Sequence, residues 1–270
     1  MVNNALDASW PGSLAYVVLR LNEGVIERVA EAGDLDEVRP WASVSKMAVA
    51  LAVGVEIDWD LHEFTEGVGP QGATIANLLS HSSGLGLEES DPVVPVATKR
   101  VYSNYGIDLL VEALVGENPA ATWLENRVFR SLGMSSTALK GRPASGVEGS
   151  TNDLATLAVA WLRPDGLSNE TRDRIVKPYL PELDGIVPGF GRFTPCPWGL
   201  GPEVRGEKQH WMGDWAKTSF GHFGQSGALM LLNTDEGVGV VATGTEPFGQ
   251  WAVKLWPEWT SAARALALRS

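Results

Sequence analysis

The chain has 270 residues, 44% apolar and 20% charged, with a net charge of −12 at pH 7. That balance suits one large domain or two interleaved lobes around a sizeable core. It excludes a basic nucleic-acid-binding face, and no apolar stretch is long enough for a membrane-spanning helix.

A single cysteine, Cys196, rules out an internal disulfide and reads as a loop thiol between Pro195 and Pro197. His62, His81, His210 and His222 stand at no metal-ligand spacing, so no metal or other cofactor is expected. Residues 1–20 hold no basic cluster ahead of a short apolar run, so no secretory signal is visible and a cytoplasmic location is the expectation. Oligomeric state is not legible.

Residues 13–20 read as a buried strand, Asn22-Glu23-Gly24 as a turn and residues 25–30 as the return strand of a hairpin. An apolar helix is expected from Ser43, then a Gly- and charge-rich stretch from 51 to 74 with few periodic signals. Short helices follow at 75–80 and 104–115, the latter with Ile107, Leu110, Val111 and Leu114 on one face. Further helices are expected at 121–132, at 153–162 capped by Asn152 or Asp153, and at 168–176. Residues 178–202 are dense in Pro and Gly and read as loop. Strands at 227–233 and 238–243 flank the turn Thr234-Asp235-Glu236-Gly237, and a last helix at 251–268 should kink or break at Pro257. Strands at both ends and helices between imply an α+β fold. One antiparallel sheet is built from both chain ends, the C-terminal helix covers one face, and an all-helical lobe is inserted. The α/β lobe would take residues 1–42 and 191–270 and the helical lobe 43–190, within a single domain.

The tetrapeptide Ser43-Val44-Ser45-Lys46 heads the apolar run Met47-Ala48-Val49-Ala50-Leu51-Ala52-Val53. A helix starting there sets Ser43 and Lys46 one turn apart on one face and carries the lysine inward. A desolvated lysine loses affinity for its proton and can act as a base, which makes a neighbouring hydroxyl a candidate nucleophile. The plainer alternative is that Ser43 caps the helix and Lys46 snorkels to water. S-x-x-K alone arises by chance about once in a chain of this length. Three further segments change the odds: Leu78-Leu79-Ser80-His81-Ser82-Ser83-Gly84-Leu85, Tyr102-Ser103-Asn104 before a helix, and Gly221-His222-Phe223-Gly224-Gln225-Ser226-Gly227 entering a strand.

Together these resemble the serine hydrolase family of class C β-lactamases, D-alanyl-D-alanine peptidases and related esterases. In that family S-x-x-K, Y-x-N and K-T-G or H-x-G follow in this order, and Leu132-Gly133-Met134-Ser135-Ser136-Thr137 matches a further L-G-M-x-x-T. The resemblance implies that Ser43 attacks a carbonyl and that Lys46 takes its proton directly or through Tyr102, with Tyr102 returning it to the leaving group. Either Lys46 or Tyr102 is the base, and a neighbouring lysine cation would lower the Tyr102 pKa. It also implies that Asn104 binds Lys46 or substrate, the alternative being a helix cap. The backbone N–H groups of Ser43 and Gln225 would meet the oxyanion, and Gly224 would let the strand approach the substrate.

His81 invites a Ser-His reading with Ser80 or Ser82, but its segment looks structural, a helix end pinned by side-chain hydrogen bonds. His222 stands where classical β-lactamases carry lysine, which favours uncharged esters or amides over β-lactams. No class A E-x-x-L-N is present, and the interval from Tyr102 to His222 is short for a class C enzyme. The implied partner is a small ester, amide or lactam substrate and the implied activity a serine esterase. The rivals are a β-lactamase or D-amino-acid amidase and, outside enzymes, a ligand sensor that stays acylated.

Overall fold

The computed structural model describes residues 6, 10–163 and 166–269. In chain order its strands are β1 (Leu14–Asn22), β2 (Val25–Ala32), β3 (Arg39–Pro40), β4 (Ala138–Leu139), β5 (Val147–Gly149), β6 (Gly185–Val187), β7 (Gly191–Phe193), β8 (Glu203–Val204), β9 (Phe220–Phe223), β10 (Leu229–Asn233) and β11 (Val238–Gly244). The helices are α1 (Ser45–Asp58), α2 (Ile75–Leu79), α3 (Asn104–Val115), α4 (Ala120–Leu124), α5 (Thr151–Leu162), α6 (Asn169–Val176) and α7 (Gln250–Arg269). Among the described residues no helix is long and apolar enough to cross a membrane.

The main sheet has the order β2-β1-β11-β10-β9-β8, so the two ends of the chain meet at its centre. Pairing is antiparallel throughout, with Val17 opposite Val241 and Met230 opposite His222. Side chains alternate faces along each strand. Val17 and Leu19 therefore enter the core with α1 and α5, while Tyr16 and Val18 enter a second core under α7. α5 covers one face of the sheet and α7 the other. Burial on both faces is why β1 and β11 read as continuous apolar runs.

Several expectations need correction. The first helix begins at Ser45, not Ser43, and runs to Asp58, well into the stretch read as non-periodic. Every residue from Ser45 to Glu56 is buried. A helix enclosed on all sides has no polar face, so amphipathic periodicity cannot mark its end. α5 is capped by Ser150, whose hydroxyl accepts from Asp153 N, rather than by Asn152 or Asp153. α7 runs through Pro257 without a break, its inner face laid on the sheet through Trp256, Trp259, Ala263 and Ala267. Residues 178–202 contain the β6–β7 hairpin. The middle of the chain also carries a small sheet, β3-β5-β4.

Candidate active site

Four sequence-distant segments meet around one cavity of about 210 Å³, lined by Ser43, Leu87, Tyr102, Asn104, Pro188, Trp198, His222, Phe223 and Gln225. Ser43 sits on a single 3₁₀ turn, Ala42–Val44, immediately before α1. Ala42 has φ of 46°, a left-handed conformation costly for a residue with a Cβ. The turn is pinned by Ser45, which donates to the Ala42 carbonyl (2.6 Å) and accepts from Val147 N (3.0 Å). Ser45 has no chemical part in the motif's sequence reading; its role appears only when β5 is brought alongside.

Lys46 is buried, 1% exposed. Its Nζ lies 2.7 Å from Asn104 Oδ1, 2.8 Å from the Ala144 carbonyl and 3.5 Å from Ser43 Oγ. Two of these are acceptors only, so they take two hydrogens and leave the third direction of the amine facing the serine. Burial brings the lysine pKa from 10.5 down to about 7, with Asp108 opposing and Arg142 adding to the shift. Asn104 is not the helix cap: Ser103 holds that place, accepting from Gly106 N at 2.8 Å. The amide of Asn104 is thereby free to face the lysine.

Tyr102 packs its ring 4.8 Å from Lys46 Nζ and 4.5 Å from the His81 ring. Its pKa is raised, not lowered: burial outweighs a hydrogen bond to Ser43 that pulls the other way. The expected depression by the Lys46 cation is therefore not met, and the phenol stays protonated. The Tyr102 hydroxyl lies 3.5 Å from His222 Nε2. His222 Nδ1 lies 2.8 Å from the Phe223 carbonyl, which can only accept, so Nδ1 carries the hydrogen and Nε2 presents a lone pair. Burial, reinforced by the Lys46 charge, brings the His222 pKa down to about 3, so the ring is neutral.

A Cβ on Gly224 would stand 2.3 Å from the Trp41 carbonyl and 3.0 Å from the Ala42 Cβ. The glycine thus lets the end of β9 close on the turn that carries Ser43, where the sequence reading had it facing substrate. Gln225 follows on the cavity wall. Among the described residues no protein acceptor engages the backbone N–H of Ser43 or of Gln225, which leaves both available for an oxyanion.

The segment 78–85 does what a pinned helix end does. Asn77 donates to Ser82 Oγ, Ser80 and Ser82 bond each other, and His81 Nδ1 accepts from Ser103 N at 3.2 Å. Burial takes the His81 pKa well below its usual value. Its bond to Ser103 N holds the Tyr102 loop. Cys196 is buried, its thiol pushed up to about 11 by burial. No group of three or more His, Cys, Asp or Glu side chains is placed to hold a metal ion among the described residues. Sequence reasoning missed the Ala144 carbonyl, for which a sequence carries no signal, and Ser103, whose place one residue before the helix was a usable one.

Comparison with known proteins places the chain in a family. The family model described as Beta-lactamase matches residues 12–259. A beta-lactamase crystal structure from Mycobacterium bovis is 33% identical, covers 96% of this chain and 97% of its own, and superposes with a TM-score of 0.91. Simvastatin synthase from Aspergillus terreus is similar in fold at 15% identity, covering 98% and 93% with a TM-score of 0.80. The beta-lactamase/D-alanine carboxypeptidase of Yersinia pestis is similar at 18% identity, covering 95% and 93% with a TM-score of 0.69. Among curated proteins none matches. With a family model spanning nearly the whole chain and a one-third-identical structure matching it end to end, the chain belongs to the beta-lactamase family.

Proposed function

We propose that this protein is a serine hydrolase working through an acyl-enzyme on Ser43, acting on small uncharged carboxylic esters. The observation that carries this reading is the buried Lys46 amine, with two of its hydrogens committed to Asn104 Oδ1 and the Ala144 carbonyl and its remaining direction facing Ser43 Oγ. Ser43 attacks the ester carbonyl and Lys46 takes its proton. The tetrahedral oxyanion is met by the backbone N–H groups of Ser43 and Gln225. Tyr102, kept protonated by burial, gives its proton to the leaving alkoxide and regains one from the Lys46 ammonium. Water then releases the acid from Ser43 by the same steps in reverse.

The cavity favours an uncharged acyl group. Its apolar walls are Leu87, Pro188, Trp198 and Phe223, and among the described residues no lysine or arginine lines it. His222, on the cavity wall, is neutral. β-Lactam hydrolysis is the second reading, favoured by the 33% identity to the M. bovis beta-lactamase. It would lack a fixed cation for the lactam carboxylate.

The test is turnover of nitrophenyl acetate, nitrocefin and D-alanyl amides, with the intact mass followed through each reaction. Ester turnover with a transient acyl adduct on the Ser43 peptide is expected. Preferred turnover of nitrocefin would replace the esterase by the lactamase, and an adduct that never clears would point to a sensor. Because Lys46 is active as the free amine, the rate should fall tenfold per pH unit below about 7, the value to which burial brings it, and level off above it. A rate independent of pH from 5 to 9 would remove Lys46 as the base.

Gly224→Ala should cost about 100-fold in kcat/KM, because displacing the Trp41 carbonyl moves the Ser43 turn. A variant with native kinetics would show that the turn gives way without cost.

A further inference from the structure

We propose that Arg142, Glu88 and Asp108 form an ionic clamp behind Asn104 and Ala144 that holds these two hydrogen-bond acceptors of Lys46 in place and sets the charge this lysine feels. The proposal rests on the reading of Lys46 as the base, and it adds three residues that belong to none of the motifs.

Each acceptor of Lys46 is gripped from its far side. The Asn104 amide accepts from Lys46 through Oδ1 and donates through Nδ2 to Glu88 Oε1 at 3.3 Å, so the carboxylate dictates which way the amide points. Ala144 accepts from Lys46 through its carbonyl and donates through its backbone N to Asp108 Oδ1 at 2.8 Å. Arg142 joins the two carboxylates: its Nη1 donates to Glu88 Oε2 at 2.5 Å and its Nε to Asp108 Oδ2. Three separate pieces of chain are tied this way, the loop holding Glu88, the first turns of α3, and the tight turn holding Arg142 and Ala144. That turn is itself closed, with Gly146 N donating to the Arg142 carbonyl at 2.7 Å. One guanidinium bridging two carboxylates in a fork is a geometry that lysine does not reproduce.

The clamp also carries charge. Two carboxylates and one guanidinium leave one net negative charge beside a lysine that has almost no water. Asp108 and Glu88 hold the proton on Lys46 and Arg142 loosens it. The other groups that face the amine are the Tyr102 ring and the imidazoles of His81 and His222. Burial keeps both imidazoles neutral and the phenol protonated, so none changes charge near neutrality. Arg142 and Glu88 are themselves half-exposed, with side chains 38% and 44% accessible, so the clamp lies within reach of solvent while its target does not.

The test is the titration of Lys46 itself, followed by NMR in lysine-labelled protein with the signal assigned through Lys46→Met, alongside the pH profile of ester hydrolysis. Arg142→Gln should raise the Lys46 midpoint by about 0.5–1 pH unit, because two carboxylates then act unopposed. Asp108→Asn and Glu88→Gln should each lower it by a similar amount. The double variant R142Q/D108N restores the net charge and should return the midpoint to near its native place. Arg142→Lys keeps the charge but loses the fork, so its midpoint should stay while its plateau rate falls about tenfold. A Lys46 midpoint that stays put in all the charge-changing variants would overturn the clamp, whatever their melting temperatures. Shifts of the expected sign without any Ser43-dependent hydrolysis would uphold the clamp and sink the proposed reaction instead.

Discussion

Ser43→Ala is expected to lower ester hydrolysis by about 10⁴-fold or more and to abolish every acyl adduct, while leaving the melting temperature close to native. The loss is large because, among the described residues, no other serine, threonine or cysteine lines the cavity. Ser80 and Ser82 are buried and bonded to each other, and Cys196 is enclosed with its thiol pushed up to about 11. The stability cost is small because Ser43 is only half-buried and its contact with Lys46 is a long one, 3.5 Å. The turn that carries it is held by Ser45 and not by Ser43. Intact mass after incubation with nitrophenyl esters, together with thermal melts, reads both halves. Adducts on the alanine variant would move the nucleophile elsewhere, and a collapse of the melting temperature would make the lost activity uninformative about chemistry.

Lys46→Met should cost about 10³- to 10⁴-fold in kcat, the range for a lost general base, and its effect on stability should depend on pH. In the folded protein burial brings the Lys46 pKa down to about 7 from 10.5. Between those two values the unfolded chain binds more protons than the folded one, so the lysine's contribution to stability rises with pH across that window. Below about 7 the penalty for enclosing the charge is present in full. Replacing the lysine removes the penalty but leaves Asn104 Oδ1 and the Ala144 carbonyl without a donor, at a cost of about 1–3 kcal/mol each. That cost does not vary with pH. The melting temperature of Lys46→Met relative to native should therefore be highest at pH 6 and fall progressively toward pH 10. Melts in matched buffers measure this, and a difference constant across the range would mean that Lys46 is not desolvated in the native state.

The two-ended sheet was legible because its strands are short apolar runs bounded by turn residues. Such signals are local and survive without knowledge of partners. The family resemblance was legible for a similar reason: S-x-x-K, Y-x-N and H-x-G are short strings whose order along the chain is visible. What failed did so where packing overrides local preference. The end of α1 was invisible because the helix is buried on every side. Pro257 reads as a breaker, yet α7 passes through it because the inner face of that helix is held on the sheet. Asn104 reads as a cap of α3, yet Ser103 takes that place and the Asn104 amide meets the Lys46 amine, a contact between segments 58 residues apart.

By itself the amino-acid sequence determined the fold class and the family and nominated the candidate site residues, since these follow from local patterning and from side-chain chemistry that each residue carries wherever it lies. The tertiary structure alone decided the protonation states. Lysine, tyrosine and histidine leave the ribosome with ordinary pKa values, and it is above all the removal of water by segments distant in sequence that brings Lys46 down to about 7, keeps Tyr102 protonated and holds His222 neutral. Desolvation is a property of the whole fold, so no window of sequence contains it.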